Sequence, residues 1–186
     1  MGYRSLAPYV WPIYAPWMAS SLGMSTLLVA LPIWLLGGGH GYVLTSMVAG
    51  AGGAGAAVGA LLVGNLVDRS GPARVAAGSL LLMVVASASM ALIGHVVVLG
   101  LGHLAFGMGS IGVMLSRQAD LTSRIPRYLR GRAMSVMGGS MRLSVLVGTV
   151  AGGALVEVIG GRWTIAAAGL AAAVGLPAVI PTALRP

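Results

Sequence analysis

Residues 5–67 read SLAPYVWPIYAPWMASSLGMSTLLVALPIWLLGGGHGYVLTSMVAGAGGAGAAVGALLVGNLV, 63 positions without one formal charge. A helix needs about 20 apolar residues to cross a bilayer, so this stretch holds two crossings and a turn. The turn falls at Gly37, Gly38, Gly39, His40 and Gly41, the one dense group of helix breakers within it. The next uncharged run, Val75 to Ser116, is long enough for two more spans around a tight turn near Gly94 and His95. A basic loop follows, then a fifth span, a break at Glu157, Gly160, Gly161 and Arg162, and a sixth. The expectation is an all-α membrane protein, residues 1–186 forming a single six-helix transmembrane domain with spans at roughly 13–36, 42–66, 75–94, 96–116, 133–156 and 163–180. Pro12 and Pro16 suit the first turn of the first helix.

Composition agrees with that reading. Hydrophobic residues make up 58% of the 186 positions and charged residues 8%, against roughly 25% charged in soluble domains, so most of the exterior faces something other than water. The basic excess of +8 is all arginine and scattered between apolar runs, which argues against nucleic acid. Without cysteine there is no disulfide framework, thiolate metal site or Cys nucleophile. The three histidines lie in different segments and no carboxylate pair occurs, so no metal site, cofactor or enzyme site is expected.

Orientation follows from the arginines, because short cytoplasmic loops collect positive charge. Arg4, Arg69, Arg74, Arg117, Arg124, Arg127, Arg130, Arg132 and Arg185 fall on one side, and only Arg162 on the other. Both termini are expected in the cytoplasm of a bacterial inner membrane. The first apolar run is too long for a cleaved signal peptide.

The segment Gly64-Asn65-Leu66-Val67-Asp68-Arg69-Ser70-Gly71-Pro72-Ala73-Arg74 resembles the G-x-L-x-D-R-x-G-R-R loop between the second and third helices of the major facilitator superfamily. It departs at Pro72 and Ala73, which stand in the two basic positions. Arg130-Gly131-Arg132-Ala133 resembles the R-G-x-A start of that family's fifth helix, and Gly148-Thr149-Val150-Ala151-Gly152-Gly153 its G-P-x-x-G-G antiporter motif, with Thr149 for proline. The resemblance implies one six-helix half of a twelve-helix transporter, whose halves enclose substrate near mid-membrane. A parallel homodimer would supply the second wall; a fragment of a longer transporter, or a membrane partner that modulates one, are the alternatives. Arg142 and His103 of two copies around one cavity, with no membrane carboxylate, favour a small anionic or neutral solute, and the other contact is membrane lipid. The loop residues Gly64, Asp68, Arg69, Gly71 and Arg74 would then gate the cytoplasmic side, Asp68 facing the partner's amide groups near Gly131 to Ala133.

Four features could carry function. Arg142 lies near the middle of span five, where a charge is costly and a substrate or coupling role is the default. His103 stands where the family's antiporters often have arginine, so the resemblance implies coupling there, while a neutral ring bonded within the bundle is the plainer reading. Gly55 and Gly59 in helix two, and Gly148 and Gly152 in helix five, allow close backbone approach; they mark a contact face, toward a second copy or within the bundle. Tyr9, Trp11, Tyr14 and Trp17 suit an interfacial aromatic belt, and Ser20, Ser21 and Ser25 either line a cavity or bond to helix backbone.

Overall fold

The computed structural model describes residues 13–184; Arg4, Tyr9, Trp11, Pro12 and Arg185 lie outside them. Those residues form helices throughout: α1 (Ala15–Gly37), α2 (Tyr42–Ser70), α3 (Pro72–Ile93), α4 (Val96–Arg124), α5 (Arg127–Ile159), α6 (Gly161–Ala173) and α7 (Leu176–Ala183). Six of these segments are long and apolar enough to cross a membrane, the last being Gly161–Pro181, which takes in α6 and most of α7.

The connections are short, and glycine makes two of them possible. Gly71 alone joins α2 to α3 at φ +80°, and Gly160 alone joins α5 to α6 at φ +82°, a backbone region that side chains with a Cβ avoid. Pro72 then opens α3 at the position where a missing amide costs nothing. Between α3 and α4, Gly94 closes one helix in the left-handed conformation and His95 caps the next, its Nδ1 accepting from the Val97 amide at 3.3 Å.

The basic segment between the fourth and fifth spans is not a loop. α4 continues to Arg124 and α5 begins at Arg127, so Arg117, Asp120, Arg124, Arg130 and Arg132 are all helical. The break is confined to Ile125 and Pro126, because the residue before a proline is driven out of the α region. Helices longer than a membrane span can project beyond the bilayer, and polar residues there do not oppose helix formation.

α2 packs chiefly on α4, α4 on α3, α3 on α6, α6 on α1 and α1 on α5. This order leaves α2 and α5 at the two ends of an arc, each with one extensive neighbour. The main apolar core, including Leu27, Leu31, Leu80, Met83, Met90 and Phe106, lies between α1, α3, α4 and α6. A second cluster joins Tyr14 and Trp17 to Leu121, Ile125, Leu129 and Met137 beneath the α4–α5 turn.

Candidate functional site

A groove of about 90 Å³ opens between α1, α2, α4 and α5. Trp17, Ser21 and Met24 line it from α1, Ser110 and Met114 from α4, and Met141 from α5. Its polar character comes from hydroxyls and one indole. Trp17 Nε1 is buried without a hydrogen-bond partner among the described residues, at a wall that carries no carboxylate. The neighbouring polar side chains serve the fold: Ser20 Oγ donates to the Trp17 carbonyl at 3.0 Å, Ser25 Oγ to the Ser21 carbonyl at 2.8 Å, and Thr26 Oγ1 crosses to the Gly148 carbonyl at 3.2 Å. Ser20, Ser21 and Ser110 thus line the groove, Ser20 while bonding to backbone, whereas Ser25 and Thr26 bond to backbone outside it.

Tyr14 and Trp17 are corrected from an interfacial belt to core residues. They are 2% and 4% exposed, and Tyr14 donates to the Ala133 carbonyl at 3.1 Å, tying α1 to α5. Their apolar rings fill the space under the α4–α5 turn, which became a packed site once both helices extended that far.

Arg142 sits at the midpoint of the 33-residue α5, exposed, with no hydrogen bond or ion pair to any described residue. It points away from the face that meets α1, being about 200° of helical rotation from buried Ser144. The adjacent Met141 lines the groove. Around Arg142 the same side of α5 is bare: Gly138, Gly139 and Gly153 have no atom near the place where a Cβ would stand.

The four glycines expected to mark a contact face, toward a second copy or within the bundle, make their contacts within the bundle. A Cβ on Gly55 would overlap the Leu104 carbonyl, and one on Gly59 would lie 2.6 Å from Ile111 Cγ2, so both press α2 onto α4. Gly148 would overlap the Ser25 hydroxyl, and a Cβ on Gly152 would lie 2.9 Å from the Thr26 carbonyl oxygen, so both press α5 onto α1. All four glycines are buried inside the chain and are unavailable to any partner. The open small residues of α2 are instead Gly50, Gly53 and Gly64, which meet nothing.

His103 is placed in that α2–α4 contact, outside the groove. Its Nδ1 lies 2.9 Å from the Val48 carbonyl, which can only accept, so Nδ1 carries a proton; Nε2 is buried without a partner among the described residues. The ring occupies space that Gly52 leaves, since a Cβ there would overlap it.

In the loop motif, Asp68 and Arg69 are exposed, Gly71 makes the turn, and Arg74 Nε donates to the Ala183 carbonyl at 3.2 Å. Ala73, in a position that the motif makes basic, is buried at 8% exposure and leaves no room for a cation. The charge comes from α4 instead. Arg117, fully buried, donates from Nη2 to the Pro72 carbonyl at 3.0 Å and pairs through Nη1 with Asp120 Oδ2 at 3.1 Å, while Arg124 takes the other oxygen of Asp120. Sequence reading missed this network because it assigned these residues to a loop. The signal was present in the spacing, since 117, 120 and 124 share one helical face. The α5 start also moves: its first open amides are those of Arg127 and Tyr128, the Leu129 amide already donating to the Pro126 carbonyl at 2.9 Å, so Gly131 to Ala133 are interior and cannot receive Asp68 as a helix N-terminus would.

A family model described as the Major Facilitator Superfamily matches residues 8–186. An uncharacterized MFS-type transporter of Mycobacterium tuberculosis is 28% identical over 162 residues, which cover 87% of this chain and 28% of that protein.

Proposed function

The chain belongs to the Major Facilitator Superfamily, a family of transporters, and we propose that it forms one six-helix half of an alternating-access carrier whose other half is a second, parallel copy. Arg142 carries this reading. A guanidinium at the middle of a membrane-length helix, uncovered by its own chain, costs about 2.5 to 3.5 kcal/mol against lipid by insertion scales. The bare face around it is where a second protein surface can approach closely, and the two arc-end helices, α2 and α5, are the ones with faces to spare. The groove supplies one wall of a cavity, and the partner supplies the other. Both termini lie in the cytoplasm, on the arginine-rich side, in a bacterial inner membrane.

The cargo is a small anionic or neutral solute. No carboxylate lines the groove, its donors are the Trp17 indole and the Ser21 and Ser110 hydroxyls, and Arg142 follows the lining residue Met141 in the chain. A second reading has support of its own: the chain spans 28% of the length of its mycobacterial relative, so the six helices can equally be one part of a longer carrier. The native chain has no cysteine, so Gly53→Cys and Gly139→Cys on separate copies can be oxidised in membranes. A cross-linked dimer, with solute uptake lost in Arg142→Ala, is expected. Absence of any link between copies, together with unchanged uptake in Arg142→Ala, would overturn the proposal.

A further inference from the structure

The largest opening described lies away from the groove, a crevice of about 640 Å³ between α2 and α3, floored by Met108 of α4. Its mouth is polar, formed by Asn65, Ser70 and Arg74 where the two helices meet at Gly71. Its walls are apolar: Leu62 and Leu66 are 55% and 53% exposed, so the crevice opens sideways, toward lipid. From Ser70 to Gly59, its inner limit on α2, there are eleven residues, about 16 Å of helix. That matches one leaflet, half of a hydrocarbon core of about 30 Å.

Charge is arranged along the same gradient. Arg74 spends only Nε on the Ala183 carbonyl, and its two terminal amino groups have no partner among the described residues. Asp68 does not line the crevice, being about 200° round α2 from Leu66. A planar guanidinium at headgroup depth binds phosphate oxygens in pairs. Below it, Gly78 keeps the space open, and a Cβ there would meet nothing.

We infer that this crevice binds an anionic phospholipid, its phosphate held by Arg74 with Asn65 and Ser70, and one acyl chain lying along Leu62, Leu66 and Leu82. The site joins the turn between α2 and α3 to the lipid composition of the leaflet around it, independently of what the groove carries.

The chain purified in mild detergent and titrated with phosphatidylglycerol or phosphatidylcholine of the same acyl chains, with bound lipid counted by native mass spectrometry, tests this. Wild type should retain phosphatidylglycerol about fivefold better, the scale of one arginine against an anionic lipid surface. Arg74→Gln should remove that preference and leave phosphatidylcholine unchanged. Gly78→Phe should lower retention of both, and a diazirine on the acyl chain should label Leu62, Leu66 or Leu82. Equal retention of the two lipids by wild type would overturn the assignment, as would labelling confined to other helices or displacement of the lipid by millimolar inorganic phosphate. Should Gly78→Phe fail to fold, the headgroup comparison and the labelled residues still decide.

Discussion

Gly55 and Gly53 stand two positions apart on α2 and are chemically identical, yet they do opposite things. Gly55 faces the Leu104 carbonyl with no room for a methyl group, whereas Gly53 faces open space. Gly55→Leu is therefore expected to disrupt the α2–α4 contact, with a loss beyond the 1 to 3 kcal/mol or so of ordinary overpacking because backbone, not side chain, is struck. Gly53→Leu should melt like wild type and act only on association between copies. Thermal unfolding in detergent separates the two, and a Gly55→Leu protein as stable as wild type would contradict the packing. The same reasoning applies to Asp120, which two arginines share while it is 2% exposed. Asp120→Ala leaves Arg117 buried beside the Pro72 carbonyl without its counter-ion, and removal of one partner of such a pair costs about 3 to 5 kcal/mol. The double variant Arg117→Met with Asp120→Leu should be more stable than Asp120→Ala alone, since it buries no unpaired charge. Equal melting of the two would show that the pair is not what holds α4 to the α2–α3 turn.

At the scale of elements, the tight connections decide which glycines are indispensable. Gly71→Ala forces a Cβ into φ +80°, a cost of roughly 1 to 2 kcal/mol, while Gly64→Ala in the helical, open part of the same motif should gain up to about 1 kcal/mol from helix propensity. A lower melting temperature for the first and an equal or higher one for the second is the expected result; the reverse order would mean that the turn is not where the constraint lies. Arg162 illustrates another element-level role. It lies at the start of α6 and its guanidinium donates to the Ala91 and Leu92 carbonyls, which capping of α3 leaves exposed. The single arginine on the sparsely charged side is thus occupied in closing a helix, so it does not weigh against the orientation read from the others.

For the whole molecule, the packing order repeats after three helices: α2 lies on α4 as α5 lies on α1, and α4 on α3 as α1 on α6. Nested three-helix repeats of this kind occur within each half of this family. The repeat is what puts α2 and α5 in equivalent positions at the ends of the arc, and hence what offers both to one partner surface. Asp68 is exposed at the end of α2 that leads into the Gly71 turn. If the proposed parallel dimer forms, the groups offered to it are the open amides of the partner's α5 start, at Arg127 and Tyr128, worth about 0.3 to 2 kcal/mol for each contact. Asp68→Asn should leave the dimer intact and raise the labelling of cysteines placed along the groove from the cytoplasmic side. Unchanged labelling in an intact dimer would remove Asp68 from the gate.

The six helices and the family were legible in the chain alone, because bilayer thickness dictates span length and the loop motif is local in sequence. The place of Arg142 near the middle of its helix was legible as well, since it needs only a count along the span. What the chain could not tell was direction around each helix. Gly53 and Gly55, or Arg142 and Ser144, differ by about 200° of rotation, and in a lipid-facing bundle both sides of a helix are equally apolar, so hydropathy carries almost no periodic signal to tell inside from outside. Only the packing of α2 on α4 and of α5 on α1 decided which glycines were used within the chain, that His103 was enclosed and Arg142 left bare. It also moved Arg117 and Asp120 from a supposed loop to a buried pair, in which the two charges offset each other and the Pro72 carbonyl at the start of α3 takes a further amino group of Arg117.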